Sequence, residues 1–499
     1  MKKATTAFDQ KVGVNGAYVW HYLPDMSRRW GEAEAYPTMG WVEGPGVSAM
    51  GNVFLDLYIA TGDKYYWSLA EKSAKALIYG QLDNGGWNFF FNFAGDTSTA
   101  RWYNTIGKQA WRMEEFHHFY KSATYDDYVH GDAAKFLLRM FLQKRHDTYL
   151  IPLLKAINLI LVSQTKSGGW PERYPLEANS YTSQITLNDD VTLTNILFLI
   201  DCYRTRVAYT PEVRAAITYG MNAILALQNG QPAPGWARQF YTETMKPAPA
   251  RTYEPIAINT SFTAEKINAM MDFYRLTGET KFLSRLEEAI DWLESLAMTE
   301  EEIAIAGRTP SRTSITVPRN LRPTTNKPMY THRRGSNIAT GYYFHNDDPR
   351  NTIGHMSSFA TVNIRRLRAD LAEVQKLCRE EIKRTSPLLS ETPVPLQKFY
   401  SPTTLRYSRE DRTVSEIISN LNSDGFWITP LPFISYVYKP IPQSLFDAGK
   451  RTDITEFATT QVGDEYDTSP FPPNQPVMGI STSVFITNMA RLIEFLENL

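Results

Sequence analysis

Cysteine is nearly absent: Cys202 and Cys378 are the only two in 499 residues. That is too few for a disulfide framework, and both sit in helical-looking patterns that suggest buried thiols. An excess of charge of either sign is missing too. With 52 basic and 53 acidic residues the formal net charge is −1, which argues against general binding to nucleic acid or to a membrane surface and leaves recognition to local charge. No apolar run reaches the ~20 residues that a membrane-spanning helix needs. Met1-Lys2-Lys3 resembles the start of an export signal, yet Ala4 to Gly16 lacks the apolar stretch that would follow. A soluble chain is expected, one whose leader, if it is exported, lies outside this sequence.

Aromatic residues, by contrast, make up 13% of the chain, with 28 Tyr and 11 Trp, which suits carbohydrate stacking as well as thick helical packing. The length exceeds that of a single hydrophobic core, so several domains or a repeating architecture is expected.

A repeat is present. After an aromatic lead-in over residues 17–47, helical spacing runs from Asn52 to Tyr58, turns at Thr61-Gly62-Asp63, continues from Lys64 to Tyr79 and ends at Gln81 and Gly85-Gly86-Trp87. The same grammar takes Tyr149 to Ser163 into Gln164 and Gly168-Gly169-Trp170, and Pro211 to Leu227 into Gln228 and Gly235-Trp236; a fourth copy has Met270 to Tyr274, Thr277-Gly278-Glu279 and Lys281 to Leu296. Amphipathic hairpins of this kind bury their faces only against one another. They predict an all-α fold, an incomplete (α/α) toroid of helical hairpins with long loop excursions. One continuous toroidal domain is expected, in three stretches: 1–115 as lead-in plus one hairpin, 116–300 as catalytic core, and 301–499 as a basic loop insertion followed by closing helices over Met356 to Arg384 and Ser481 to Leu499.

Two acidic pairs stand just before helices of successive hairpins, in Tyr125-Asp126-Asp127-Tyr128 and Asn188-Asp189-Asp190-Val191. A single pair there would ordinarily cap a helix. Two pairs in successive hairpins would meet at one mouth of a toroid. Together with Asn188 they would suit a hard cation such as calcium, which takes six to eight oxygen ligands, or an acid and base pair for glycan hydrolysis. Lys246, Arg251 and the basic run Lys327 to Gly335, which contains Arg333 and Arg334, add the guanidiniums that suit an anionic substrate. His117, His118 and His130 are expected to pack or cap.

At these residues the chain resembles a known family. Gly168-Gly169-Trp170-Pro171-Glu172-Arg173-Tyr174-Pro175, the segment Ile185 to Val191, the segment Lys246 to Pro255 and Thr325-Asn326-Lys327-Pro328-Met329-Tyr330 together resemble polysaccharide lyase family ten, the pectate lyases with an (α/α)3 toroid, over roughly residues 120–345. The resemblance implies calcium-assisted β-elimination in α-1,4-linked galacturonan. It further implies calcium carboxylates at Asp126, Asp127, Asp189 and Asp190, Arg251 as the base that removes the C5 proton, and substrate contacts from Lys246, Tyr253, Arg333, Arg334, Trp170 and Arg173. Asp127 stands where the family commonly has Asn, and Glu172 and Arg173 depart from its usual Gln and aromatic. A secreted or periplasmic monomer acting on an anionic polysaccharide, with no nucleic-acid or membrane partner, is implied as well.

Two other readings stay open: an (α/α)-toroid glycoside hydrolase using Asp126 and Asp189, and a non-catalytic glycan-binding protein. The Gln-x-x-x-Gly-x-Trp pattern at Gln81 and Gln164 also resembles the repeat of triterpene cyclases, but the chain has no Asp-x-Asp-Asp acid motif.

Overall fold

The repeated Gln, Gly and Trp of the sequence do the same structural work in each copy. Gln81 donates from Nε2 to the carbonyls of Gly85 at 2.8 Å and of Pro152 at 2.9 Å. Gln164 repeats this on Gly168 and Ala216 at 2.8 and 2.9 Å, and Gln228 on Pro234 and Arg285 at 3.0 and 3.4 Å. Each glutamine thus closes its own loop and ties it to a later helical segment. The indoles act in the opposite direction along the chain: Trp87, Trp170, Trp236 and Trp427 donate to Leu77, Ile160, Ile224 and Ile417 at 2.7–2.8 Å. All four satisfy a carbonyl near the end of the preceding helix. Glycine is needed in these loops because the chain turns left-handed there. Gly85 and Gly168 have φ of +96° and +93°, and a Cβ at either would lie 2.4 Å from the carbonyl oxygen of Lys155 or Tyr219.

The computed structural model describes residues 1–118, 121–334, 338, 342–353, 358–400, 412–444 and 465–499. Its long helices are α1 (Val47–Thr61), α2 (Lys64–Gly80), α3 (Val129–Lys144), α4 (Asp147–Ser163), α5 (Val191–Arg204), α6 (Pro211–Ala226), α7 (Thr260–Thr277), α8 (Leu286–Ser295), α9 (Ile364–Gln375) and α10 (Thr482–Glu497). The first eight pair in sequence as helical hairpins joined by short turns, the hairpin architecture of an incomplete (α/α) toroid. Most expected helices are present where the apolar spacing placed them, but the stretch Lys281 to Leu296 divides into a 3-10 turn, Thr280–Leu283, and α8. The stretch expected as one helix from Met356 to Arg384 is instead α9 and a short helix Arg379–Thr385, beginning after residues 354–357, which lie outside the described part. Cys378 caps that short helix and is exposed, so of the two thiols only Cys202 is buried. Among the described residues no helix is long and apolar enough to cross a membrane.

Two compact units form. The first holds residues 1–159, 396–441 and 462–499, and the second 160–395 and 442–461. In the first, α1 packs on α2, α3 and α10 around a core rich in Trp41, Phe54, Trp87, Trp102 and Phe485. In the second, α7 packs on α6, α8 and α9, and short strands bridge the loops that leave the helices. These are β1 (Ile185–Thr186), β2 (Trp236–Ala237), β3 (Gln239–Phe240), β4 (Pro247–Ala248), β5 (Ile258–Asn259), β6 (Asn320–Leu321), β7 (Tyr330–Arg334) and β8 (Tyr342–Asn346). They make two three-stranded antiparallel ribbons, β4-β3-β1 and β6-β5-β2, and a hairpin of β7 with β8. Arg238 lies between β2 and β3, where the chain passes from one ribbon to the other. That position makes it a junction for the loops described next.

Candidate functional site

In the first unit the acidic turn is a one-turn helix, Asp126–Tyr128, leading into α3. Asp127 and Tyr128 are both left-handed, with φ/ψ of 46°/34° and 64°/10°. Non-glycine residues hold such a shape only where surrounding contacts impose it. Asp126 is fully buried, its N–H on Thr124 Oγ1 at 3.1 Å. One oxygen each of Glu32, Glu43 and Asp127 lie within 4.8 Å of one another. Glu43 is buried and accepts from Trp41 Nε1 at 3.1 Å. Burial pushes its carboxyl well above the usual range, and the charges of Glu32, Asp127 and Asp126 push the same way. Three converging carboxylates are a donor set that fits a hard cation. His130, one turn further on, is buried beside Trp87 and Tyr125, with Nε2 3.2 Å from the Ala156 carbonyl. Burial lowers its pKa to about 4, so it is a neutral packing residue.

The second unit holds a conformational copy. Asn188–Asp190 forms the same one-turn helix ahead of α5, with Asp189 at 45°/32° and Asp190 at 55°/23°. The two turns therefore align as Asp126-Asp127-Tyr128-Val129 on Asn188-Asp189-Asp190-Val191, one residue out of step with the alignment of carboxylate pairs that the sequence suggests. Asp127, not Asp126, is the counterpart of Asp189.

The surroundings of the second turn are cationic. The Arg238 carbonyl accepts the N–H groups of Leu187 at 2.8 Å and Asn188 at 3.0 Å. Its Nη1 donates to Asn188 Oδ1 at 3.2 Å and to Glu254 Oε1 at 2.9 Å. Asn188 in turn donates to Asp189. Lys266, on α7 and fully buried, pairs with Asp190. Glu254 also accepts the Arg251 N–H at 3.2 Å and Nη1 at 3.3 Å. Burial favours the neutral form of Glu254, but Arg251 and Arg238 outweigh it and hold its carboxyl below the ordinary range. Arg319 is a further cation near Arg238; burial, then the charge of Arg238, lowers its pKa to about 10.

The expected substrate contacts are dispersed through this unit. Arg251 is buried, with its guanidinium carbon 5.8 Å from the Tyr181 ring centre. Tyr253 is buried edge-on against Tyr343 at 5.4 Å. Arg333 is buried on β7; Arg334 belongs to the same strand, and its side chain lies outside the described part. Lys246 is exposed at the tip of the β3–β4 hairpin, where its carbonyl accepts the Tyr241 N–H at 2.9 Å. Arg173 is fully buried beside Glu172, whose Oε2 accepts Gln239 Nε2 at 3.2 Å. Trp170 corrects an expectation: it has no exposed surface and its indole N–H is spent on Ile160, so it packs the wall instead of stacking on a ligand. Asp190 likewise serves as the partner of Lys266.

Sequence reasoning gave no role to Glu32, Glu43, Arg238, Glu254, Lys266 or Arg319. Glu254 and Arg238 lay inside motifs already singled out. Lys266 reads as an ordinary helix residue, and Glu32 and Glu43 belong to the irregular lead-in, where no periodicity points inward.

These features define an all-α hairpin toroid in which paired acidic turns precede the helices and buried arginines flank one of them. Residues 97–340 match the family model described as pectic acid lyase. The match covers just under half of the chain, and over those residues the chain carries a domain similar to that family's. Among solved structures it is similar to a family 10 polysaccharide lyase from Cellvibrio cellulosa (17% identity, 66% of this chain and 98% of that one, TM-score 0.44). A mutant of a family 10 polysaccharide lyase from the same organism, in complex with trigalacturonic acid, gives 18% identity, 65% and 97% coverage and a TM-score of 0.43. The GH76 α-mannanase of Bacteroides thetaiotaomicron gives 11%, 64% and 73%, and 0.37. No curated protein matches the chain.

Proposed function

We propose that this protein is a pectate lyase that cleaves α-1,4-galacturonan by calcium-assisted β-elimination. The observation that carries the reading is the buried array Asn188–Arg238–Glu254–Arg251, which lies within the family-matched segment and joins an acidic turn to the arginine assigned as base. β-Elimination needs a proton taken from C5, next to the uronate carboxylate, and expulsion of the oxygen on C4. Arg251 takes the proton. It can do so only as the neutral guanidine, a scarce form because the ordinary pKa exceeds about 12; the rate therefore rises with pH into the alkaline range. Buried Arg333 and exposed Lys246, with Arg334 and Tyr253, supply the cations and the aromatic edge for the polyanion.

Candidate calcium carboxylates are Asp126 and Asp127 in the first unit, where Glu32 and Glu43 lie beside Asp127, and Asp189 in the second. Calcium, when bound, would offset the uronate charge and make the C5 proton more acidic. A secreted or periplasmic monomer belongs to the same proposal, because a polymeric substrate is met outside the cytoplasm.

Incubation with polygalacturonate and calcium tests the reading. Ultraviolet-absorbing unsaturated ends are expected. Reducing ends without that absorbance would instead indicate the hydrolase built on Asp126 and Asp189, and binding without either product a glycan-binding protein.

A further inference from the structure

We propose that Glu254 is the positioning residue of this site, fixing the Arg251 guanidinium and coupling it through Arg238 to the Asn188–Asp189 turn. The proposal rests on the reading of Arg251 as the base. Glu254 follows Arg251 by three residues in a turn closed by its own N–H on the Arg251 carbonyl at 2.8 Å. Glu254 is 3% exposed, so its contacts are not exchanged freely with water.

The two oxygens are divided between two arginines. Oε1 accepts Arg238 Nη1, and Oε2 accepts both the backbone N–H and Nη1 of Arg251. Arg238 then grips the acidic turn twice, by its carbonyl on the N–H groups of Leu187 and Asn188 and by its side chain on Asn188. A displacement of the turn is thereby passed to Arg251 through two charge-assisted links. Glu254 itself touches no substrate atom in this account. Only a carboxylate satisfies the pattern: glutamine offers one carbonyl and one NH2, so it serves one arginine and turns a donor toward the other. Removing the anion also leaves two buried guanidiniums facing each other without compensation.

The test uses the full-length protein with polygalacturonate and calcium, and compares wild type, Glu254→Gln, Arg238→Met and the double variant by kcat, KM and Tm. In Glu254→Gln, kcat is expected to fall about a hundredfold, as for a reacting group displaced by about 1 Å, with KM within about twofold and Tm lowered by loss of the buried anion. Because the two residues act as one unit on Arg251, the double variant should be no slower than the slower single variant. An unchanged kcat, or a KM that rises as far as kcat falls, would overturn the proposal. Should Glu254→Gln fail to fold, Arg238→Met carries the same expectation. Crystal structures of wild type and Glu254→Gln read the coupling without any activity. A shifted Arg251 guanidinium supports it and an unmoved one refutes it, even if a wild type yielding no unsaturated product had already removed the pectate-lyase reading.

Discussion

The two acidic turns share a backbone and differ in electrostatics. Asp127-Tyr128 and Asp189-Asp190 have nearly the same left-handed pair of residues ahead of α3 and α5. Around Asp127 the neighbouring side chains are further carboxylates, Glu32 and Glu43. Around Asp189 they are bound to cations: Arg238 on Asn188 and Lys266 on Asp190. One local fold thus serves two ends. In the first unit it concentrates negative charge that a cation can relieve, and in the second it hands its charge to buried bases and so anchors them.

The largest effect that should separate the turns is on stability. Lys266→Met removes the fully buried cation of the pair with Asp190 and is expected to cost about 3–5 kcal/mol in urea unfolding. If Lys266→Met is neutral, the contrast between the turns fails.

A comparable effect follows from pH, because buried carboxylates in the two units are displaced oppositely. In the first unit Asp467 is pushed up to about 6 by burial, against the Ser469 N–H and hydroxyl that favour its anion. A raised carboxyl contributes stability that is full below its unfolded value near 4 and lost as pH rises through about 6. Asp467→Asn should therefore stabilise the protein by about 3 kcal/mol at pH 8 and hardly at all at pH 4, for a shift of about two units. Glu254 in the second unit is held low, so its contribution is present at neutral pH and lost only on acidification below the ordinary carboxyl range. Matching pH slopes for Asp467→Asn and Glu254→Gln in thermal scans would erase the distinction.

The smallest effect concerns the metal. Glu43→Gln removes one charge from the anionic cluster, and should weaken calcium binding about tenfold, seen as a smaller calcium-induced rise in Tm. The same change should raise Tm in chelator, since it relieves repulsion. An equal calcium response in both proteins would exclude Glu43 from the cluster's function.

How much of this was legible in the sequence depends on the kind of signal. The hairpins announce themselves through apolar spacing, and the Gln81, Gly85 and Trp87 pattern announces each loop because those residues make backbone hydrogen bonds that recur copy by copy. The acidic turns were visible as pairs, but their register was not, because two adjacent carboxylates draw the eye and the left-handed positions that define the copy do not depend on charge. Trp170 looked like a stacking surface since an indole has the same letter whether it faces solvent or Ile160. Lys266 and Arg238 were invisible as site residues for a related reason: their role comes from folding α7 and the β2–β3 junction against a turn 50 to 76 residues away. The short strand β7 also escaped, because the basic run it carries lacks the alternation of a half-buried strand.

The most direct measurement is the rate at which Arg251→Ala releases unsaturated product from polygalacturonate in calcium, followed beside wild type by ultraviolet absorbance. The account predicts product from wild type, its disappearance with a calcium chelator, and a rate at least about a thousandfold lower in the variant, the scale of a lost proton-transfer group. Full activity in Arg251→Ala would contradict it.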